Sequence, residues 1–229
     1  MAGHETTLPG EPPLPAFAVL PEGAARGVVV LHEIFGRAPE IDRVVERFGR
    51  AGYAAVAPDF FSAGSRPRCV RAVMRAAATG AGWPADRARD ARRWLGERAG
   101  VPEARVGLIG FCLGGGFALA VGRGWGAVSA NYGMVPPRDV IEGLGPTIAC
   151  YGMRDRAFRR QAEVLRRTLP ALGVVHEVHT FPTVGHSFLT DGHHPVASFL
   201  SRPLLHVRYD PGVAEEAWTR IFAFLDRHL

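Results

Sequence analysis

The sequence predicts an α/β protein whose mostly parallel sheet is covered by helices on both faces. Two observations predict this class. Strand-like and helical segments alternate along almost the whole chain, and 229 residues with 47% apolar and 21% charged side chains are enough to bury one large core. The same length predicts a single domain over residues 1–229.

Short apolar runs rich in β-branched residues predict the strands, at 28–33, 54–59, 106–110, 128–132, 146–151 and 177–181. Periodic or continuous apolar segments predict the helices, at 40–50, 66–80, 85–98, 116–121, 156–172 and 213–229. Residues 1–15 are predicted to be a Pro-rich N-terminal extension, with an extended backbone from Pro9 to Pro15.

The charge is basic, with a formal net charge of +5, and all 27 basic residues are arginine. These arginines are scattered rather than gathered in one block or helical stripe, so we expect a solvated surface and no nucleic-acid partner. The absence of lysine excludes Schiff-base chemistry and the lysine of a P-loop. No apolar run approaches the ~18 residues of a membrane span, and the N-terminus does not resemble a secretory signal. We therefore expect a cytoplasmic protein without a membrane partner.

Two groups of residues could suggest a metal or a disulfide. Cys69, Cys112 and Cys150 are odd in number and widely spaced, which supports neither a disulfide framework nor a zinc site. Residues 186–194 gather several metal-ligating types: His186, Asp191, His193 and His194. Gly192 and Pro195 predict an irregular backbone there, which favours a polar loop over a metal site.

The segment Gly110-Phe-Cys-Leu-Gly114 connects a predicted strand to an apolar helix. In the pattern Gly-x-nucleophile-x-Gly, a sharp turn exposes the central residue, here Cys112. The N-terminus of the next helix favours a thiolate, and the N–H of Leu113 is the natural donor to an oxyanion. Free cysteine is also among the most buried residue types, so the pentapeptide alone leaves a structural role equally open.

Asp155 and His186 follow Cys112 along the chain, each just after a predicted strand. Taken alone, Asp155 is explained as a turn or cap residue and His186 as a loop histidine. Together they reproduce the order nucleophile, acid, histidine, with each group at the carboxyl end of a strand. This order predicts a triad.

Three segments resemble the dienelactone hydrolase (carboxymethylenebutenolidase) family: His32-Glu-Ile-Phe-Gly36, Gly110-Phe-Cys-Leu-Gly-Gly115 and Gly185-His-Ser-Phe188. The resemblance covers roughly residues 25–190. It implies an α/β-hydrolase fold and a triad of Cys112, Asp155 and His186.

The resemblance also implies that the backbone N–H groups of Leu113 and Ile34 form the oxyanion hole. It further implies that Glu33 holds the resting thiol neutral and moves aside when substrate arrives. A carboxylate beside sulfur disfavours the thiolate, so this role is physically coherent. The alternative is that Glu33 caps the turn before Gly36.

The substrate is less well defined. The resemblance implies arginines that bind a substrate carboxylate, one of them a few residues beyond the triad histidine, but His186-Ser-Phe-Leu-Thr190 contains none. The sequence leaves the other arginine open among Arg66, Arg68, Arg71 and Arg75. The candidates for the substrate pocket are Phe35, Arg68, Trp83, Tyr132 and Ser187, with core packing or surface solvation as the alternative.

The predicted function is a cofactor-independent hydrolase that cleaves a small-molecule ester or lactone through a cysteine thioester. Because sulfur itself leaves readily from the tetrahedral intermediate, substrates with a stabilised leaving group such as an enolate are favoured. The alternatives are an acyltransferase or thioesterase on the same site, and a non-catalytic protein of this fold that binds a small molecule. We expect a monomer or a weak homo-oligomer.

Overall fold

The computed structural model describes residues 2–191 and 204–229. Eight strands form one sheet: β1 (His4–Leu8), β2 (Leu14–Val19), β3 (Gly27–Leu31), β4 (Ala54–Pro58), β5 (Val106–Phe111), β6 (Val128–Asn131), β7 (Thr147–Gly152) and β8 (His176–Phe181). Six α-helices accompany them in the described residues: α1 (Pro39–Arg50), α2 (Arg66–Thr79), α3 (Trp83–Ala99), α4 (Leu113–Val121), α5 (Gln161–Ala171) and α6 (Pro211–His228). None of these helices is long and apolar enough to cross a membrane.

The sheet has the order β1-β2-β4-β3-β5-β6-β7-β8. Every pair from β4 to β8 is parallel, and only the pairs made by β2 are antiparallel. Helices cover both faces of the sheet, so the predicted fold class is confirmed. The central strands β3 and β5 are buried along their whole length, as expected for apolar strands covered on both sides.

The parallel register decides where the functional residues emerge. Leu31, the last residue of β3, pairs with Gly110 near the end of β5, and Gly152 at the end of β7 pairs with Phe181 at the end of β8. The loops that follow these strands therefore leave the sheet at the same edge. This is the edge at which α/β sheets bind ligands.

The predicted N-terminal extension is wrong in one respect, because its residues belong to the sheet. The structure places residues 4–8 and 14–19 in the antiparallel strands β1 and β2, neither of which the sequence analysis predicted. Leu8 and Leu14 are fully buried. Most of the prolines lie in the connection between the strands, and Pro15 sits at the start of β2, where proline is tolerated.

Two helix boundaries differ from the predictions in ways that matter for the site. Helix α4 begins at Leu113 instead of residue 116, immediately after Cys112. Helix α5 begins at Gln161 instead of residue 156, because the side chain of Asp155 accepts hydrogen bonds from the N–H groups of Ala157 and Phe158 and holds that segment in a turn.

Candidate active site

Cys112 lies at the sharp turn between β5 and α4, with φ 55° and ψ −115°. A non-glycine residue at positive φ is unusual and is often found where function requires a strained backbone. The turn is tight, since a Cβ atom at Gly110 would lie 1.9 Å from the carbonyl oxygen of Gly114. Glycine at position 110 is therefore required for the turn to close.

Helix α4 begins at the residue after Cys112, so the positive end of its dipole lies beside the sulfur. The Cys112 carbonyl accepts hydrogen bonds from the N–H groups of Gly115 and Gly116, at 3.0 and 3.2 Å. Leu113 and Ile34, whose N–H groups are the predicted oxyanion donors, line the same cavity as Cys112.

Asp155 and His186 form a buried pair, with Asp155 1% and His186 3% exposed. The Nδ1 atom of His186 lies 2.6 Å from Oδ2 of Asp155. The other carboxylate oxygen of Asp155 accepts the N–H groups of Ala157 and Phe158, both at 3.0 Å. These bonds fix the carboxylate, and the carboxylate in turn orients the imidazole.

The acid loop and the histidine loop meet through close backbone contact. A Cβ atom at Gly152 would lie 2.2 Å from the carbonyl oxygen of Gly185, so only glycine allows this approach. The N–H of His186 donates to the carbonyl of Leu205 at 2.8 Å. Backbone contacts from two directions therefore hold His186 in place.

The second ring nitrogen of His186, Nε2, is buried, and the sulfur of Cys112 is its electrostatic partner. Burial lowers the pKa of His186, but the electrostatic interaction with Cys112 and the hydrogen bonds with Asp155 and Cys112 outweigh it and raise the pKa to about 10. The site therefore favours a positively charged imidazole.

Glu33 is 3% exposed and lies among three hydroxyl groups. Its carboxylate accepts hydrogen bonds from Tyr132 Oη and Ser187 Oγ, both at 3.3 Å, and from Thr190 Oγ1 at 3.4 Å. Burial, followed by the charge of Glu33, raises the pKa of the Tyr132 phenol well above its ordinary value. Tyr132 and Ser187 also have positive φ angles, 43° and 55°. Backbone strain is therefore concentrated around Glu33 as well as at Cys112.

The cavity above Cys112 has a volume of about 470 Å³, within the range of small-molecule sites. We call it the catalytic cavity. Apart from Cys112 and His186, its lining side chains are apolar: Ile34, Met74, Ala77, Ala78, Leu113, Gly116, Met134, Val135, Pro136, Pro137, Phe158 and Leu205.

Comparison of the sequence with known protein families identifies the family of this chain. The sequence profile described as "Dienelactone hydrolase family" matches residues 14–229. The chain belongs to the dienelactone hydrolase family. The family resemblance predicted from the sequence is thus confirmed, and with it the prediction of a dienelactone hydrolase-like hydrolase.

Individual relatives of this dienelactone hydrolase family member are distant but cover it almost completely. It is 25% identical to the carboxymethylenebutenolidase of Rhodococcus opacus over 99% of this chain and 91% of the relative. A dienelactone hydrolase-like promiscuous phosphotriesterase from metagenomic libraries has a TM-score of 0.78 at 21% identity, covering 100% of this chain and 99% of that one. An esterase from Pyrobaculum calidifontis has a TM-score of 0.63 at 15% identity, covering 97% and 84%. These two structures support the fold alone.

The predicted substrate-binding residues of this family member are dispersed. Arg68 and Trp83 line a different cavity of about 610 Å³, together with Arg71 and Arg75, which we call the basic cavity. Phe35 is 50% exposed and is not among the residues that line the catalytic cavity.

Tyr132 and Ser187 are buried beneath the catalytic cavity, where they contact Glu33 instead of open space. The ring of Tyr132 packs against that of His186, with the two centroids 5.0 Å apart. Both residues are thus close to the reacting groups without lining the space that a substrate would fill.

The other two cysteines lie outside the catalytic cavity. Cys69 and Cys150 are buried, and burial raises the pKa of the Cys150 thiol to about 12. Within residues 2–191 and 204–229, no three His, Cys, Asp or Glu side chains come together as a metal site. His193 and His194 lie outside the described residues.

The sequence analysis missed three residues that shape the site: Thr190, Phe158 and His32. Thr190 binds Glu33, and the ring of Phe158 lies 4.9 Å from that of His186. The two ring nitrogens of His32 bond with the carbonyl of Glu33 at 2.8 Å and the N–H of Phe60 at 3.1 Å, and burial lowers the pKa of His32. Only the position of His32, just after the strand and beside Glu33, gave a signal in the sequence.

Proposed function

We propose that this protein hydrolyses carboxylic esters or lactones through a thioester formed on Cys112. The observation that carries this proposal is the buried His186, which is held by Asp155 through one ring nitrogen and interacts with Cys112 on the wall of the same cavity. The name of the Rhodococcus opacus relative supports the lactone, and the family supports the hydrolysis.

In the first half of the reaction, the thiolate of Cys112 attacks the carbonyl carbon of the ester and forms a tetrahedral intermediate. The N–H groups of Leu113 and Ile34 stabilise the negative oxygen. Collapse of the intermediate expels the oxygen of the alcohol or of a stabilised enolate. This leaving group takes the proton from Nε2 of His186, which leaves the imidazole neutral. The acyl group remains on sulfur as a thioester.

In the second half, a water molecule attacks the thioester while the neutral His186 accepts its proton. The new tetrahedral intermediate expels the sulfur of Cys112 and releases the carboxylic acid. His186 is then protonated beside the thiolate, as it was at the moment of attack. Asp155 stabilises the imidazolium at this stage.

We propose that Glu33 controls when Cys112 becomes negatively charged. The hydroxyls of Tyr132, Ser187 and Thr190 hold its carboxylate within the buried site. A carboxylate there disfavours a second negative charge on Cys112 until substrate enters. Glu33→Gln is therefore expected to increase the rate at which iodoacetamide modifies Cys112. The preference of Cys112 for the ester over iodoacetamide should fall accordingly.

The proposal is tested by the turnover of 4-nitrophenyl hexanoate. We expect Cys112→Ala to lower kcat/KM by at least about a thousandfold, as for other nucleophile deletions. Cys69→Ala removes a different thiol, on α2, and serves as the matched control with near wild-type activity. Equal turnover by wild type and Cys112→Ala would falsify the nucleophile assignment. Adding an alcohol as a competing acceptor then separates hydrolysis from acyl transfer by the product formed.

A further inference from the structure

The walls of the catalytic cavity are almost free of polar side chains. Helix α2, the loop 134–137, Phe158 and Leu205 supply apolar surface, and among the described residues only Cys112 and His186 present a polar side chain to it. A carboxylate placed there loses its hydration without gaining an arginine partner, and the imidazole of His186 is already paired with Asp155. Such burial is strongly unfavourable.

The arginines of α2 do not compensate for this, because they line another cavity. Arg68, Arg71 and Arg75 follow one another at helical spacing and line the basic cavity. The face of α2 that borders the catalytic cavity carries Met74, Ala77 and Ala78 instead. The helix thus presents cations on one side and apolar groups on the side that faces the nucleophile.

Thr190, four residues beyond the triad histidine, supplies no positive charge for a substrate carboxylate either. Thr190 is 2% exposed and its hydroxyl binds Glu33. Two carboxylates are already buried in the site: Asp155 bonds to His186, and Glu33 bonds to Ser187, the residue after it. A substrate carboxylate would therefore meet negative charge as well as an apolar wall.

We infer that the catalytic cavity selects neutral esters with an apolar acyl group and rejects esters whose acyl chain carries a carboxylate. This inference rests on the proposed function and specifies its substrate class. Among the described residues that line the cavity, no arginine is present to receive that carboxylate.

The test compares two esters of equal chain length, 4-nitrophenyl hexanoate and mono-4-nitrophenyl adipate. They share the leaving group, and the adipate differs by a terminal carboxylate. We expect kcat/KM for the hexanoate to exceed that for the adipate by about 30-fold or more, since the charged end of the adipate has no arginine partner in the cavity. Equal values, within about threefold, would overturn the inference.

A gain-of-charge variant sharpens the test. Met74 lines the catalytic cavity and is 55% exposed, so Met74→Arg places a guanidinium at the cavity without burying it. We expect this variant to lower the ratio of kcat/KM for the hexanoate to kcat/KM for the adipate about tenfold, by raising adipate turnover. Val175→Arg is the matched control, because Val175 is 58% exposed and does not line the cavity. A similar change in both variants would mean that net charge alone is responsible.

Two further variants identify any hidden carboxylate site. If Arg71→Gln/Arg75→Gln, or Arg202→Gln at a position outside the described residues, lowers adipate turnover while sparing hexanoate, an arginine receives the carboxylate and the inference is wrong.

If neither ester is cleaved, the proposed function fails. The selectivity is then measured by protection of Cys112 from iodoacetamide, using the uncleavable 4-nitrophenyl hexyl ether and 6-(4-nitrophenoxy)hexanoate. Better protection by the anionic ether would overturn the inference independently.

Discussion

The catalytic cavity and the basic cavity share helix α2 but differ in charge. On one side of the helix, Met74, Ala77 and Ala78 face the space above Cys112. On the other side, Arg68, Arg71 and Arg75 border a cavity without any of the triad residues. Met74 and Arg75 are neighbours in sequence, yet they line different cavities. The helical period, and not closeness along the chain, decides which side chains a substrate meets.

The unpaired charges of the basic cavity make this contrast sharper. Residues 60–85 contain no Asp or Glu, and the guanidinium groups of Arg68, Arg71 and Arg75 form no ion pair with any residue in 2–191 or 204–229. On the neighbouring helix α3, by contrast, Arg87, Arg89 and Arg93 all pair with an aspartate. The protein thus keeps strong positive charge near the catalytic cavity but outside it.

The largest effect is expected from the catalytic side. Asp155→Asn keeps the size of the side chain but weakens its hold on the imidazole, since an amide stabilises the imidazolium poorly. We expect kcat for 4-nitrophenyl hexanoate to fall about a thousandfold or more. Asp86→Asn, on an aspartate whose side chain is 69% exposed, is the control. Unchanged kcat in Asp155→Asn would remove Asp155 from the triad.

A smaller effect is expected when a negative charge is added to the catalytic cavity, which increases the charge difference between the two cavities. Met134 lines the catalytic cavity at its exposed rim, and Met134→Glu adds a negative charge there. We expect kcat/KM for the hexanoate to fall roughly fivefold, corresponding to about 1 kcal/mol.

The comparison for this variant is Arg71→Gln/Arg75→Gln, which removes two charges from the basic cavity. We expect that double variant to stay within about twofold of wild type at moderate ionic strength, because exposed charges are largely screened. If Met134→Glu and Arg71→Gln/Arg75→Gln altered hexanoate turnover equally, the charges of the two cavities would affect catalysis to the same extent, contrary to this expectation.

The smallest effect concerns stability, and it comes from the raised pKa of His186 in the catalytic cavity. This pKa is about 10, above the unfolded value, so the interactions that raise it stabilise the folded state fully below pH ~6.5 and are lost as the pH rises through about 10. The free energy of unfolding of wild type should therefore fall more between pH 7 and 10 than that of Cys112→Ala. Urea titrations at several pH values measure this, with Cys69→Ala expected to follow wild type. Parallel pH curves for wild type and Cys112→Ala would contradict the interaction between Cys112 and His186.

The sequence predicted the core of the fold and three residues that the structure brings together. Cys112, Asp155 and His186 could be found because each follows an apolar parallel strand, and parallel strands end at one edge of the sheet. Their assignment as catalytic residues stays a prediction until it is tested by experiment. Strands β1 and β2 were missed because Pro9, Pro12 and Pro13 suggested an irregular extension.

Side-chain direction was the part that the sequence did not reveal. Arg68 and Trp83 were predicted to bind substrate because they lie near the predicted mouth, but helical periodicity alone does not say which face of α2 borders the nucleophile. Thr190 was noted only as a position without arginine. Its hydrogen bond with Glu33 depends on the meeting of two loops that are far apart in the chain.

The central claim is that a thioester forms on Cys112, and mass spectrometry of the enzyme during turnover tests it most directly. Wild type is mixed with 4-nitrophenyl hexanoate, quenched rapidly in acid and digested. We predict one hexanoyl group on the peptide that contains Cys112, labile to hydroxylamine and missing from Cys112→Ala. Full turnover with the hexanoyl group on another residue, or with an unmodified Cys112 peptide at every quench time, would contradict the account.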